Sequence, residues 1–226
     1  VLRDTGFRVL PVVDERKRLL GIITRSNVMI ISSSVSTVRV KGIMSSVRFA
    51  APLGTDAVQA VREMIRLDEW YAPVVKSTQD NSYLGMFGLE HVIKAFYEKK
   101  AAWLSTPLSE VMSTRRLVQC SPDDEADNVW KMMQHRSFAA CPVVLKGKPV
   151  GIVTQQNMLE SGAIFPEFEA KKGRFKAPSK ISTIMKTPVA SLNPNNTVGV
   201  AAKIMLPQGL GRGTVEDAKG VWRGTV

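Results

Sequence analysis

The chain has 226 residues, 44% of them hydrophobic and 23% charged, enough to bury one large core or two of about 110 residues each. No apolar run reaches the roughly 18 residues that a membrane-spanning helix needs, and the opening residues show no signal-peptide pattern. Against 20 Asp and Glu stand 31 Lys and Arg, a formal net charge of +11. Such a surface attracts phosphates, nucleic acid or anionic membranes without choosing among them.

In chain order, the first predicted elements are two short β-branched strands, Leu10-Pro11-Val12-Val13 and Gly21-Ile22-Ile23-Thr24. Ile43-Met44 opens a second unit. Behind it Ala57, Val58, Ala60, Val61, Met64 and Ile65 fall at helical spacing, with Thr55-Asp56 as the predicted cap. Nine positions after Met64 comes Pro73, in the strand Ala72-Pro73-Val74-Val75, followed by a degraded partner, Gly85-Met86-Phe87-Gly88.

Val111-Met112 opens a third unit, with Asp123-Asp124 as the predicted cap of a helix that carries Met133. Pro142 again follows nine positions later, in Cys141-Pro142-Val143-Val144, and Gly151-Ile152-Val153-Thr154 comes after it. Ile184-Met185 opens a fourth, where Met205 is followed nine positions later by Thr214 in the Pro slot, and Gly224-Thr225-Val226 starts the last strand. Agreement at several anchors in one frame marks an internal repeat. Each unit reads strand, helix, strand, strand, helix, which points to a binding module rather than an enzyme.

Other signals are weaker. Cys120 and Cys141 sit in predicted strands among apolar residues, have no metal-ligand spacing, and read as buried reduced thiols of a cytoplasmic protein. Lys171-Lys172-Gly173-Arg174-Phe175-Lys176 concentrates positive charge in a predicted solvated linker. Gly209-Leu210-Gly211-Arg212-Gly213 lacks the Lys-Ser/Thr and following helix of a Walker loop and reads as a turn. His91 and His135 are too few for a metal site, and His135 is expected on the surface near a helix end. Trp70, Trp103, Trp130 and Trp222, with the methionines, read as packing residues. No nucleophile elbow, zinc-protease helix or paired-carboxylate spacing occurs.

The openings Met44-Ser45-Ser46, Met112-Ser113-Thr114 and Met185-Lys186-Thr187, with the Pro-Val-Val and Gly-Ile-Ile/Val-Thr strands, resemble the cystathionine-β-synthase (CBS) domain family over nearly the whole chain. The resemblance implies an α/β (α+β) fold of β-α-β-β-α units, paired through their sheets into two Bateman modules that form a flat disk. It places repeat one at 1–35, repeat two at 36–100, repeat three at 101–165, a basic linker at 166–180 and repeat four at 181–226. The first repeat is read as truncated at its N-terminus and the last at its C-terminus.

The resemblance also implies adenosine ligands, AMP, ADP, ATP or S-adenosylmethionine, in clefts between paired repeats. In that family the Gly-hydrophobic-hydrophobic-Thr strand leads into x-x-Asp. The hydroxyl and the helix N-terminus suit a phosphate, and the carboxylate suits a ribose diol. Carried over, this gives Thr24 with Asn27 and Thr154 with Asn157, an amide replacing the carboxylate in both. The second repeat has Gly88 and His91 in these places, a cleft read as half empty. Arg212, and Arg8 one place off the frame, are the candidate phosphate forks. Ser46-Val47, Thr114 and Thr187-Pro188-Val189 are the candidate adenine contacts.

The reading is therefore a non-catalytic sensor without a metal or other cofactor, for which the resemblance implies a homodimer acting on an unknown regulated protein. The rival reading is a basic scaffold for nucleic acid or protein, its nucleotide clefts vestigial.

Overall fold

The computed structural model of the chain describes residues 2–29, 39–115, 117–136, 138–164, 179–207 and 212–226. The basic run 171–176 and the glycine-rich 209–211 lie outside the described residues. The chain divides into two compact units, one within Val1–Val92 and one within Ile93–Ile164 and Phe175–Val226.

The first unit runs α1 (Leu2–Thr5), β1 (Val9–Val13), β2 (Leu19–Thr24), α2 (Arg25–Met29), α3 (Val40–Ile43), β3 (Ala51–Pro52), α4 (Ala57–Arg66), β4 (Tyr71–Val75), β5 (Tyr83–Gly88) and the start of α5 (Leu89–Glu98). The second holds a 3₁₀ turn (Ala102–Ser105), α6 (Leu108–Val111), α7 (Ala126–His135), β6 (Ala140–Leu145), β7 (Lys148–Thr154), α8 (Gln155–Glu160), a 3₁₀ turn (Ile181–Thr183), β8 (Ser191–Leu192), α9 (Val198–Met205), β9 (Thr214–Glu216) and β10 (Trp222–Thr225).

Each predicted strand pair is an antiparallel hairpin: β1 with β2, β4 with β5, β6 with β7, β9 with β10. In the first three the register slips at the same place, between Val12 and Val13, Val74 and Val75, and Val143 and Val144. A short parallel strand from the same repeat flanks the hairpin, β3 on β4 and β8 on β9, and in the third repeat this shrinks to the single bridge Cys120–Val143. The two-residue β6–β7 loop, Lys146-Gly147, has φ of 50° and 77° at its two positions, the turn whose twist matches a hairpin.

Helix α4 starts where its cap predicts. The Asp56 carboxylate accepts from the N–H groups of Val58 and Gln59, both at 3.0 Å. The cap predicted for α7 is corrected: Asp124 accepts from Ser121 N–H at 2.8 Å and closes the preceding turn, while Glu125 precedes the helix without a side-chain cap. Along α4 only Ala60 and Met64 are buried, whereas Val58 and Ile65 are 48% and 66% exposed. The apolar stripe is wider than the surface that covers it.

The core of the second unit includes a cluster of Leu108, Leu192, Ala201 and Val215, against which Met112, Val198, Ile204, Met205 and Val226 pack. Met64 and Met133 are fully buried, as their helical spacing predicts, and so is Met158, while Met205 is half-buried. Trp130 is buried too. Trp70 and Trp103 depart from the packing expectation at 50% and 41% exposure, Trp103 forming an edge-to-face pair with Phe96 at 5.6 Å between ring centroids. Trp222 is half-buried and donates its indole N–H to Gly224 C=O at 2.7 Å.

Cys120 and Cys141 are both buried free thiols. A hydrogen bond to Cys141, with burial behind it, pushes the Cys120 thiol well above its usual range, so it stays protonated at neutral pH. Neither thiol is expected to react with a disulfide reagent in the folded protein, and both should react once it is unfolded in urea. Rapid titration of a thiol in the native state would contradict this burial.

Candidate functional site

The candidate ligand residues stand where a strand hands over to a helix. At the third repeat Thr154 closes β7 and caps α8. Its N–H donates to Asn157 Oδ1 at 3.2 Å, and Asn157 N–H donates back to Thr154 Oγ1 at 3.1 Å. This reciprocal box satisfies two donors that a helix start leaves open. It also explains why an amide serves at the third position: only a side-chain acceptor is required.

The first repeat uses the same residues differently. Thr24 N–H donates to Asn27 Oδ1 at 2.7 Å, and so does the Thr24 hydroxyl, at 2.8 Å. Asn27 Nδ2 donates onward to Ser45 Oγ at 3.0 Å. The hydroxyl proton of Thr24 is therefore committed, whereas Thr154 accepts through its oxygen and keeps its proton for a further acceptor.

The second repeat keeps a cap of the same kind. Gly88 N–H donates to His91 Nδ1 at 3.0 Å, so His91 supplies the same cap as the asparagines. A Cβ at Gly88 would lie 2.8 Å from Glu90 Oε2 and 2.9 Å from Tyr71 Cε1. A threonine cannot stand there without displacing that pair. Burial, with a hydrogen bond to the Glu90 carboxylate, pushes the Tyr71 phenol up to about 12, while the charges of Arg8 and Arg25 pull it the other way. Arg25, missed by sequence reasoning, is 5% exposed and donates to Gly6 C=O at 2.9 Å. Its only trace in the sequence is its position directly after Thr24.

The opening segment of one repeat lies beside the strand of another. Ser45 and Ile22 exchange backbone hydrogen bonds of 2.9 and 3.0 Å, as do Lys186 and Ile152 at 2.8 and 3.1 Å, and Ser113 and Thr225 at 2.8 and 3.1 Å. Ser46 and the half-buried Val47 are thereby carried alongside β2, which ends in Thr24. The exposed Thr187 and Pro188 and the half-buried Val189 follow the bridge to β7, which ends in Thr154. Thr114 runs from the bridge to β10, away from both Thr–Asn pairs.

The two candidate arginines differ in setting. Arg212 lies face-on over Phe138, its guanidinium carbon 4.1 Å from the ring centroid, and burial lowers its pKa. Phe138 C=O accepts from Gln155 Nε2 at 3.1 Å, which ties this stack to the first residue of α8. Arg8 is half-buried in the neighbourhood of Tyr71. The structure thus ties Arg212, through Phe138 and Gln155, to the end of β7 where Thr154 and Asn157 stand, whereas Thr187–Val189 leave the antiparallel bridge at Ile152 toward the other end of that strand. In the first unit Thr24 and Asn27 stand at the end of β2, where Asn27 reaches Ser45, and Ser46 and Val47 follow Ser45 in the chain. Among the described residues no group of three His, Cys, Asp or Glu could hold a metal ion. Nor is any described helix long and apolar enough to cross a membrane.

The family model for the CBS domain matches residues 1–33 and 108–163. The crystal structure of protein MJ1225 from Methanocaldococcus jannaschii, put forward as an archaeal homologue of γ-AMPK, superposes with a TM-score of 0.83 at 21% identity, covering 100% of this chain and 87% of that one. An uncharacterized conserved protein from Pyrococcus horikoshii superposes with a TM-score of 0.69 at 19% identity, over 97% and 87% of the two chains. Two stretches of the chain are thus CBS-domain sequence, and its mixed α/β fold is the one these two structures share. By sequence it is 27% identical over 165 residues to an uncharacterized 33.4 kDa protein from the ribosomal RNA operon of Thermofilum pendens, covering 69% of this chain and 54% of that protein. It therefore spans about half the length of that relative.

Proposed function

We propose that this protein is a non-catalytic sensor of an adenosine-containing ligand, AMP, ADP, ATP or S-adenosylmethionine, and passes its ligand state to a regulated partner as a homodimer. The observation that carries this reading is the Thr154–Asn157 box at the end of β7 with the Arg212–Phe138 stack tied to the first residue of α8. A phosphate would take the retained hydroxyl proton of Thr154 and the guanidinium of Arg212. The backbone beside Thr187–Val189 offers an edge for the adenine, and Asn157 offers its amide to the ribose. The likeness to a structure put forward as an archaeal γ-AMPK homologue supports the same ligand class. Signalling then follows from differential affinity: the ligand favours the packing of paired repeats that it binds better. The proposed repeat limits are those read from the sequence, 1–35, 36–100, 101–165 and 181–226.

Thermal melts of the chain with each compound test the proposal. One adenosine ligand, at about a hundred times its dissociation constant, should add about 2.7 kcal/mol and raise the melting temperature by several degrees. Thr154→Val should remove most of that gain, and Thr24→Val less, because the Thr24 proton is already spent on Asn27. Asn157→Asp keeps the cap and should tighten binding of a ribose. A flat response to all four compounds, with RNA binding that weakens steeply with salt, would replace this reading by the basic scaffold that the net charge of +11 also allows.

A further inference from the structure

Three strand ends share one register: Thr24 stands opposite Val9, Thr154 opposite Ala140, and Gly88 opposite Tyr71. In the first and third repeats an apolar residue faces a threonine. In the second the hydroxyl has crossed the hairpin to the tyrosine, and the glycine leaves room for it. Two residues beyond these strand ends stand Ser26, Gln156 and Glu90, of which only Glu90 is acidic. Ser26 is exposed, and Gln156 Nε2 donates to Glu160 Oε1 at 2.7 Å, along its own helix. Glu90 instead turns back onto its strand end. A Cβ on Gly88 would lie 2.8 Å from Glu90 Oε2 and 2.9 Å from both its carboxyl carbon and Tyr71 Cε1. Carboxylate and phenol thus flank the same buried glycine.

The place suits a negative charge. It lies at the start of the ten-residue helix α5, whose aligned amide dipoles favour an anion. The charges of Arg8, half-buried, and Arg25, 5% exposed, act on the Tyr71 phenol that bonds Glu90. The backbone that carries Glu90 is fixed there. Leu89 N–H donates to Trp70 C=O at 3.2 Å, and Gly88 N–H donates to His91 Nδ1 at 3.0 Å. A second anion brought to this spot would meet the repulsion of a carboxylate already in place.

We infer that Glu90 is an internal anion that fills the phosphate seat of the second repeat, an autoinhibitory contact that keeps this strand end from taking a phosphate-bearing ligand. The inference rests on the proposed reading of the strand ends as phosphate seats. It makes the repeats unequal: the Thr154 end answers to ligand, while the Gly88 end holds its own charge.

Amide NMR of the 226-residue chain, with inorganic pyrophosphate as the probe, tests this. In the unaltered chain the Gly88 and Leu89 amides should show no saturable shift up to about 10 mM probe. With Glu90→Ala the same two amides should shift saturably, with a dissociation constant below about 1 mM. Glu90→Gln, which keeps the shape but not the charge, should give the same gain, so the test survives if Glu90→Ala does not fold. Saturable shifts at Gly88 in the unaltered chain would overturn the inference without any variant. So would silence at Gly88 and Leu89 in a folded Glu90→Gln chain. The Thr154 and Asn157 amides report the third repeat in the same spectra, so the two readings fail at different residues. A Gly88 response gained without any at Thr154 would uphold the internal anion and count against the sensor site.

Discussion

Gly224→Val is expected to destabilise the second unit by about 3 kcal/mol, read as a lower urea midpoint with little change in slope. The ideal Cβ falls 2.5 Å from the carbonyl oxygen of Ser113. That atom is backbone, so it cannot turn aside as a side chain would. The Ser113 strand must leave, and with it go the two hydrogen bonds that it exchanges with Thr225. Gly85→Val occupies the equivalent position of the second repeat, where a Cβ meets nothing, and should cost under about 1 kcal/mol. Equal costs at the two positions would show that the opening segment does not hold the strand.

Met133→Ala should cost about as much by another route. The side chain is fully buried on α7, and its removal leaves a cavity, so about 3 kcal/mol is expected from lost transfer energy and unfilled volume. Ile65→Ala removes a similar apolar bulk from α4, but at 66% exposure it should change stability by no more than about 0.5 kcal/mol. Chemical denaturation of both variants separates the cases. If Ile65→Ala proved as costly as Met133→Ala, the exposed stripe of α4 would be covered in solution.

The contrast shows where the sequence speaks plainly. The Pro-Val-Val and Gly-led runs were legible as hairpins because β-branched residues and their flanking Asp, Lys and Gly act locally. The buried methionines were legible because helical spacing and a constant nine-residue step to the Pro slot reinforce one another. The apolar pattern of α4 could not say which part of a wide stripe would be covered, so Val58 and Ile65 came out exposed. The exchange of opening segments was not legible either. It rests on one bridging residue in each case, too short for alternation to register.

The candidate site was legible in its positions but not in its bonding. Thr-x-x-Asn reads the same at both places, yet Thr24 spends its proton internally and Thr154 keeps it. That difference arises because Asn27 also reaches Ser45, whereas Asn157 serves its own helix. The role of Gly88 was hidden for a related reason. Its lack of a side chain matters only beside Tyr71 and Glu90, and Tyr71 lies a whole strand away.

The reciprocal bridges of the second unit bear on how the polypeptide comes together as it leaves the ribosome. Ser113 finds its strand partner only at Thr225, and Ile152 finds its outer neighbour only at Lys186. The β6–β7 hairpin can form as soon as it emerges, but its sheet waits for residues made later. The Ser113 segment waits until Thr225 has been made, and closing so long a loop carries an entropy that only late contacts return. In the interval its apolar residues and Met112 are on offer to any chaperone that binds exposed methionine and leucine.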